Sequence, residues 1–360
     1  MKSRDLAILC LLSILIVLGC TSYYGEADTG ASGEKSIGSR ASALRLPDEF
    51  VWGVYLYRVE RLQILADAGI PWFAYFLKWD ETNPAEGEFD FSRLDELLDE
   101  KERLGLKVVL VVGVGYDYWV PEWIEGGVDS PEYTDHLARY LAALAEHAGG
   151  RVDVWQVENE LNQAELETVI TGKREGEGWS SSERVREILE RGIGAIRSVD
   201  PETPVMVNVN ILPGWFAWSR RLVEEWNIDF DILGLDYFPC YFLLHNPAWG
   251  DRAELFARLA LTLTDRVWFA STGYATYDEC HTVEMQDDFL RRLAAASKRA
   301  GVSGLIWYEL TERGENYYNP CPAQFGEAEL YPGLLYKNLA PKPAWFTFIE
   351  LVEGDATHAR

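Results

Sequence analysis

Short apolar runs recur along the chain, each followed by a longer stretch in which apolar positions return at spacings of three and four. The runs are Phe50–Tyr55, Trp72–Phe76, Val108–Val114, Val152–Val157, Val205–Val209, Ile232–Tyr237, Val267–Ala270 and Gly304–Tyr308. Near-continuous apolar runs of this length fit strands buried on both faces. The periodic stretches between them, among them Ser92–Leu104, Pro131–His147, Ser182–Ser198 and Thr282–Ala300, fit helices that cover such strands. Strand and helix alternate throughout, which predicts an α/β fold with a parallel sheet. Eight such units predict a closed (β/α)8 TIM barrel as a single domain over residues 46–353. Gly113-Val114-Gly115 lacks the third glycine of a dinucleotide fingerprint.

The two ends read differently. Lys2 and Arg4 precede an apolar run from Leu6 to Gly19, too short to span a bilayer comfortably but suited to the core of a signal peptide. Residues 1–19 are therefore expected to direct export. Val17-Leu18-Gly19-Cys20 resembles a lipobox, which implies a lipid-attachment Cys20 and a protein held at the outer face of the cell membrane. Residues 20–45 are small, polar and without apolar period, as in a flexible tether, and residues 354–360 read as a tail.

Composition narrows the partners. With 33 basic against 58 acidic residues, the formal charge of −25 disfavours nucleic acid. Membrane contact is expected only through the lipid at Cys20. Past the signal, only Cys240, Cys280 and Cys321 remain; in an oxidising compartment two of them can pair, and spacing does not say which. Cys280-His281 has no second ligand pair at metal spacing, so no metal site is expected.

The residues that carry chemistry fall at the strand ends, where barrels of this type keep their functional side chains. The run Val152–Val157 leads straight into Asn159-Glu160, a carboxylate beside an amide, the arrangement that suits a general acid. Aromatics gather at the other strand ends: Trp79, Tyr116, Trp119, Trp123, Tyr237, Tyr241 and Trp307. A large aromatic in loop-like sequence suits the flat apolar face of a sugar, which applies also to Trp179, Trp215 and Trp249.

In order and spacing, Ala68-Gly69-Ile70-Pro71-Trp72, Trp79-Asp80, Pro84–Phe91, Trp119–Trp123, Trp155–Glu160, Asp231–Pro239, Trp307–Leu310 and Lys342–Trp345 resemble the glycoside hydrolase clan A superfamily. The resemblance covers nearly all of the chain after the tether. It implies action on β-linked O-glycosides, a carbohydrate substrate and no cofactor. It also implies Glu160 as acid/base, Asn159 as the amide that binds the sugar 2-hydroxyl, Tyr237 as an aromatic near the nucleophile, and Trp307 as the platform under the sugar. Trp79, Tyr116 and Trp119 complete the expected substrate-binding set.

The sequence departs from the superfamily at the second carboxylate. Trp268-Phe269-Ala270-Ser271-Thr272-Gly273-Tyr274 places Ser271 where the pattern has its nucleophilic Glu. The Arg that normally holds that nucleophile aligns with Ala74, and the acidic residue before Pro84 is Asn83. Losing both charges together is coherent, because either alone would stand buried and unpaired. Glu309 is the leading replacement carboxylate, with Asp236 and Glu158 behind it. Glu158 with Glu160 could also act as the paired acids of a substrate-assisted hydrolase. The other reading is a carbohydrate-binding lipoprotein that keeps the barrel without cutting, since a serine hydroxyl with no base is a poor nucleophile.

Overall fold

In the computed structural model the described residues are 44–358 without 46, 48, 114–118, 163–181, 243–245 and 315–324. Eight parallel strands close into a barrel in sequence order: β1 (Val51–Tyr55), β2 (Trp72–Phe76), β3 (Lys107–Val112), β4 (Val154–Val157), β5 (Val205–Asn210), β6 (Ile232–Tyr237), β7 (Val267–Thr272) and β8 (Gly304–Trp307). The crossovers are α1 (Leu62–Asp67), α2 (Trp79–Thr82), α3 (Ser92–Leu104), α4 (Tyr133–Ala148), α5 (Ser182–Val199), α6 (Trp215–Arg220), α7 (Trp249–Ala260) and α8 (Val283–Ala300); α9 (Pro343–His358) closes the chain. The (β/α)8 expectation holds.

Strand residues alternate between two cores. Val51, Trp72, Val109, Val154, Ile232, Trp268 and Ile306 belong to the cluster that fills the barrel, while their neighbours Trp52, Phe73, Leu110, Trp155, Leu233, Phe269 and Leu305 join the larger layer under the helices. Each large apolar side chain removed from water contributes about 1.5–3 kcal/mol, so this double burial is what closes the sheet. Trp268 fills the barrel floor only because β8 opens with glycine: a Cβ on Gly304 would sit 2.7 Å from the indole.

The periodicity places the helices to within a few residues. Thr282 caps α8 by accepting from the Met285 N–H at 3.3 Å, and α4 starts two residues later than the pattern suggests. The last helix continues through the stretch read as a tail, and Asp355 ties it to the barrel by accepting from the Trp52 indole at 2.8 Å. At the other end Arg45 is docked rather than loose. It donates to Gly150 O (2.9 Å) and Thr203 Oγ1 (2.7 Å) and pairs with Asp200 at 3.4 Å, while its own N–H bonds Glu202 O. Cys280 is disulfide-bonded, and Cys240 is buried as a thiol. Cys20 and Cys321 lie outside the described residues.

Candidate active site

At the C-terminal end of the strands the barrel filling changes from aliphatic to polar. Asn208 of β5 is the hub. Its Nδ2 donates to Asn159 Oδ1 at 2.8 Å and to Asp236 Oδ2 at 2.7 Å, while its Oδ1 accepts the Glu160 N–H at 3.0 Å. Gln156 of β4 adds a second amide to Asn159 Oδ1 at 3.3 Å. With its carbonyl oxygen held from two sides, Asn159 turns its amide nitrogen into the end available to a ligand.

Glu160 reaches Asp236, and the two carboxyl groups share a side-chain hydrogen bond. Asp236 is 1% exposed. Burial first, then the Glu160 charge, hold its pKa well above the usual carboxylate range, against the donation from Asn208. Asp236 Oδ1 has no donor among the described residues, as expected where the remaining hydrogen is the proton held between two acids. Such a pair titrates as a unit. Tyr55 closes the floor beside it, its phenol raised by burial, by Asp236, by Tyr57 and by Glu160, in that order. Both Glu158 (φ 63°) and Glu160 (φ 50°) adopt left-handed backbone, a strain of roughly 1–3 kcal/mol each that the surrounding hydrogen bonds must hold.

Aromatic rings wall the space above. Phe76 stacks on Tyr55 (5.3 Å) and Tyr57 (6.0 Å) and meets the Trp119 edge at 5.4 Å. Tyr308 bonds the Tyr57 hydroxyl at 2.7 Å and stands edge-on to Phe238 at 5.8 Å. Gly273 lets strand eight approach here, since a Cβ would lie 2.4 Å from Tyr308 O. The space framed by these rings, the hollow, has two acids and an amide at its base. Tyr116 lies outside the described residues.

A model of glycosyl hydrolase family 53 matches residues 128–298, and a beta-galactosidase family model matches residues 57–125. Both matches are to glycoside hydrolases, and over those residues the chain is similar to the glycoside hydrolase clan A superfamily. Individual relatives match over unequal shares. An endo-1,4-beta-xylanase 2 from Claviceps purpurea is 29% identical over 87 residues, covering 24% of this chain and 26% of that protein. An endo-1,4-beta-xylanase from Agaricus bisporus is 24% identical over 285 residues, covering 75% and 78%. The structure of the exo-beta-1,4-mannosidase Op5Man5 from Opitutaceae bacterium strain TAV5 superposes with a TM-score of 0.66 at 17% identity, over 86% of this chain and 60% of that one.

Several residues expected from the resemblance stand elsewhere. Tyr237 points to the helix layer, its hydroxyl donating to Trp249 O at 2.8 Å, and Asp236 takes the inward position. Trp307 is 0% exposed, donates to Pro332 O at 3.0 Å and packs on Phe289, so Tyr308 and not Trp307 faces the hollow. Trp79 is equally buried, stacked on Tyr140 at 5.4 Å. Trp119 does reach the wall. At β6 and β8 the residue chosen is one step out of phase, and with a period of two that reverses its face, whereas Trp79 opens a helix and turns to the helix layer.

The carboxylates also sort themselves. Glu309 does not share the base of the hollow with Glu160 but is held by Arg313 at 3.0 Å, and Arg313 in turn donates to the Tyr308 hydroxyl at 3.1 Å. Burial lifts Glu309 to about 7 despite that partner. Glu158 is buried against Tyr133, whose phenol is raised by burial and then by that carboxylate. Ser271 lies in register with Asp236 across the β6–β7 pair, just past a bulge, and Ala74 is inside the barrel. Asp236, ranked behind Glu309 on the sequence, takes the inward position, and Asn208 was not singled out. A signal existed for Asn208: Val205–Asn210 sets asparagines at alternate positions in an otherwise apolar strand.

Proposed function

We propose that this protein hydrolyses β-linked O-glycosides of an oligo- or polysaccharide, with Glu160 as general acid and Asp236 as its partner in place of Glu309. The observation that carries this reading is the hydrogen-bonded contact of the two carboxyls beneath the aromatic wall. The xylanase relatives and the mannosidase neighbour support a β-1,4-linked substrate.

Hydrogen-bonded acids stand nearer than the ~5–5.5 Å of a covalent pair or the ~6.5–9.5 Å of an inverting pair. They therefore act from one side. The proposed cycle begins with Glu160 giving its proton to the leaving oxygen as the glycosidic bond breaks. The serine at 271 is shorter than the glutamate it replaces and leaves room for water next to Asp236. That water adds to the anomeric carbon and gives its proton to Asp236, and transfer across the Asp236–Glu160 contact restores the starting state. Residues 1–19 and Cys20 are read as placing this activity outside the cell, on a lipid.

The test is turnover of aryl β-glycosides and of β-1,4-linked xylo- and manno-oligosaccharides by the wild type, Glu160→Gln and Asp236→Asn, with the first-formed anomer read by NMR. Loss of roughly 100-fold or more in both variants is expected, and the first-formed anomer reports the face from which water adds. The missing nucleophile favours one second reading, a barrel that binds sugar without cutting it. Sugar affinity with no wild-type turnover would establish that reading instead.

A further inference from the structure

Outside the hollow, a groove of about 360 Å3 runs between α4 and the segment that follows α2. Its lining sets the rings of Trp123 and Phe89 beside the small Ala142 and Ala143, with Glu86 and Arg139 contributing charge. The volume lies within the ~300–1,000 Å3 range of small-molecule sites. Phe89 is 39% exposed, yet its ring is braced by stacking on Phe91 at 5.5 Å and 6°. Trp123 is fixed as well, its indole donating to Asn83 O at 2.8 Å and meeting His136 edge-on at 4.9 Å. Two preordered rings over a floor of alanines, with a carboxylate and a guanidinium at hand, make a slot for a flat ring that carries hydroxyls.

The groove is mechanically joined to the hollow. Trp119 of the wall and Trp123 of the groove are separated by three residues, at most ~14 Å of extended backbone. Both are pinned around α2: Asp80 N–H bonds Trp119 O at 3.0 Å, and Asn83 O receives the Trp123 indole. We propose that this groove is a second saccharide-binding site, holding one stretch of a β-linked polysaccharide while another stretch of the same polymer occupies the hollow. The inference rests on reading the hollow as a β-glycoside site.

The test is affinity electrophoresis in gels containing soluble β-1,4-xylan or β-1,4-mannan, carried out in a Glu160→Gln background so that the polymer stays intact. Phe89→Ala removes a ring, and Ala142→Leu fills the floor without removing any contact to the hollow. Each is expected to weaken retention roughly five- to tenfold. Placed in the otherwise native chain, neither changes turnover of a short aryl β-glycoside. Retention unchanged by both variants overturns the proposal, as does a parent that neither polymer retards. A dimer dissolved by Phe89→Ala with no change in polymer retention assigns the groove to a second copy and also overturns it. Should the aryl glycoside not be cleaved at all, the hydrolase reading falls, and retention alone still decides the groove.

Discussion

Replacing Asp236 by Asn tests the shared proton directly. Asn keeps the oxygen that accepts from Asn208 at 2.7 Å and turns an amide hydrogen toward Glu160, so the hydrogen-bond pattern survives while the titration does not. An acid whose folded pKa is raised binds its proton more tightly when folded. Its contribution to stability is complete below the unfolded value of 3.8 and is lost as pH rises through the folded one. Wild type should therefore lose stability as pH rises past the unfolded value, and Asp236→Asn should gain relative to it over that range. Denaturant unfolding at a series of pH values measures this. Activity should move the other way. Without a second acid to hold the proton, the alkaline limb of the pH–rate profile shifts down toward the ordinary carboxylate range, and turnover at pH 7 falls by roughly 100-fold. A parallel stability–pH curve together with an unmoved alkaline limb would refute the shared-proton argument.

Three further outcomes follow from the placement of side chains. Asn208→Ala leaves a buried carboxylate oxygen and the Glu160 N–H without partners, and should cost about 2–4 kcal/mol by chemical denaturation. Trp307→Ala should cost about 3–5 kcal/mol with sugar affinity unchanged, whereas Tyr308→Ala should weaken affinity in calorimetric titration at a smaller stability cost. Glu309, lifted from 4.5 to about 7 by burial, contributes stability fully below pH 4.5 that is lost as pH rises through 7; melting curves of Glu309→Gln across this window should lack that slope.

The barrel was legible because each strand is buried on both faces and each helix on one, which writes two distinct periods into the chain. Glu160 and Asn159 were visible as polar residues with no packing reason to end an apolar strand. Which residue at a strand end looks inward was not legible. β6 shifts register against β7 between Leu235 and Asp236, and β7 shifts against β8 between Phe269 and Thr272. Both shifts place the extra residue on β7, while β6 and β8 alternate without interruption, so what hides the inward residue is burial on both faces, which apolar composition cannot tell apart. Hence Asp236 and Tyr308 stand where Tyr237 and Trp307 were expected. Glu309 looked free to act because its partner, Arg313, is four residues on in a segment with no periodic signal.

Arg45 settles a matter of orientation. Its partners Gly150, Asp200, Glu202 and Thr203 all precede β4 and β5, so the clasp lies on the underside of the barrel, away from the catalytic opening. The described chain thus enters the barrel from that underside. The polar strand ends, where a long polymer would be engaged, lie at the opposite end of the barrel from the point at which the chain enters it.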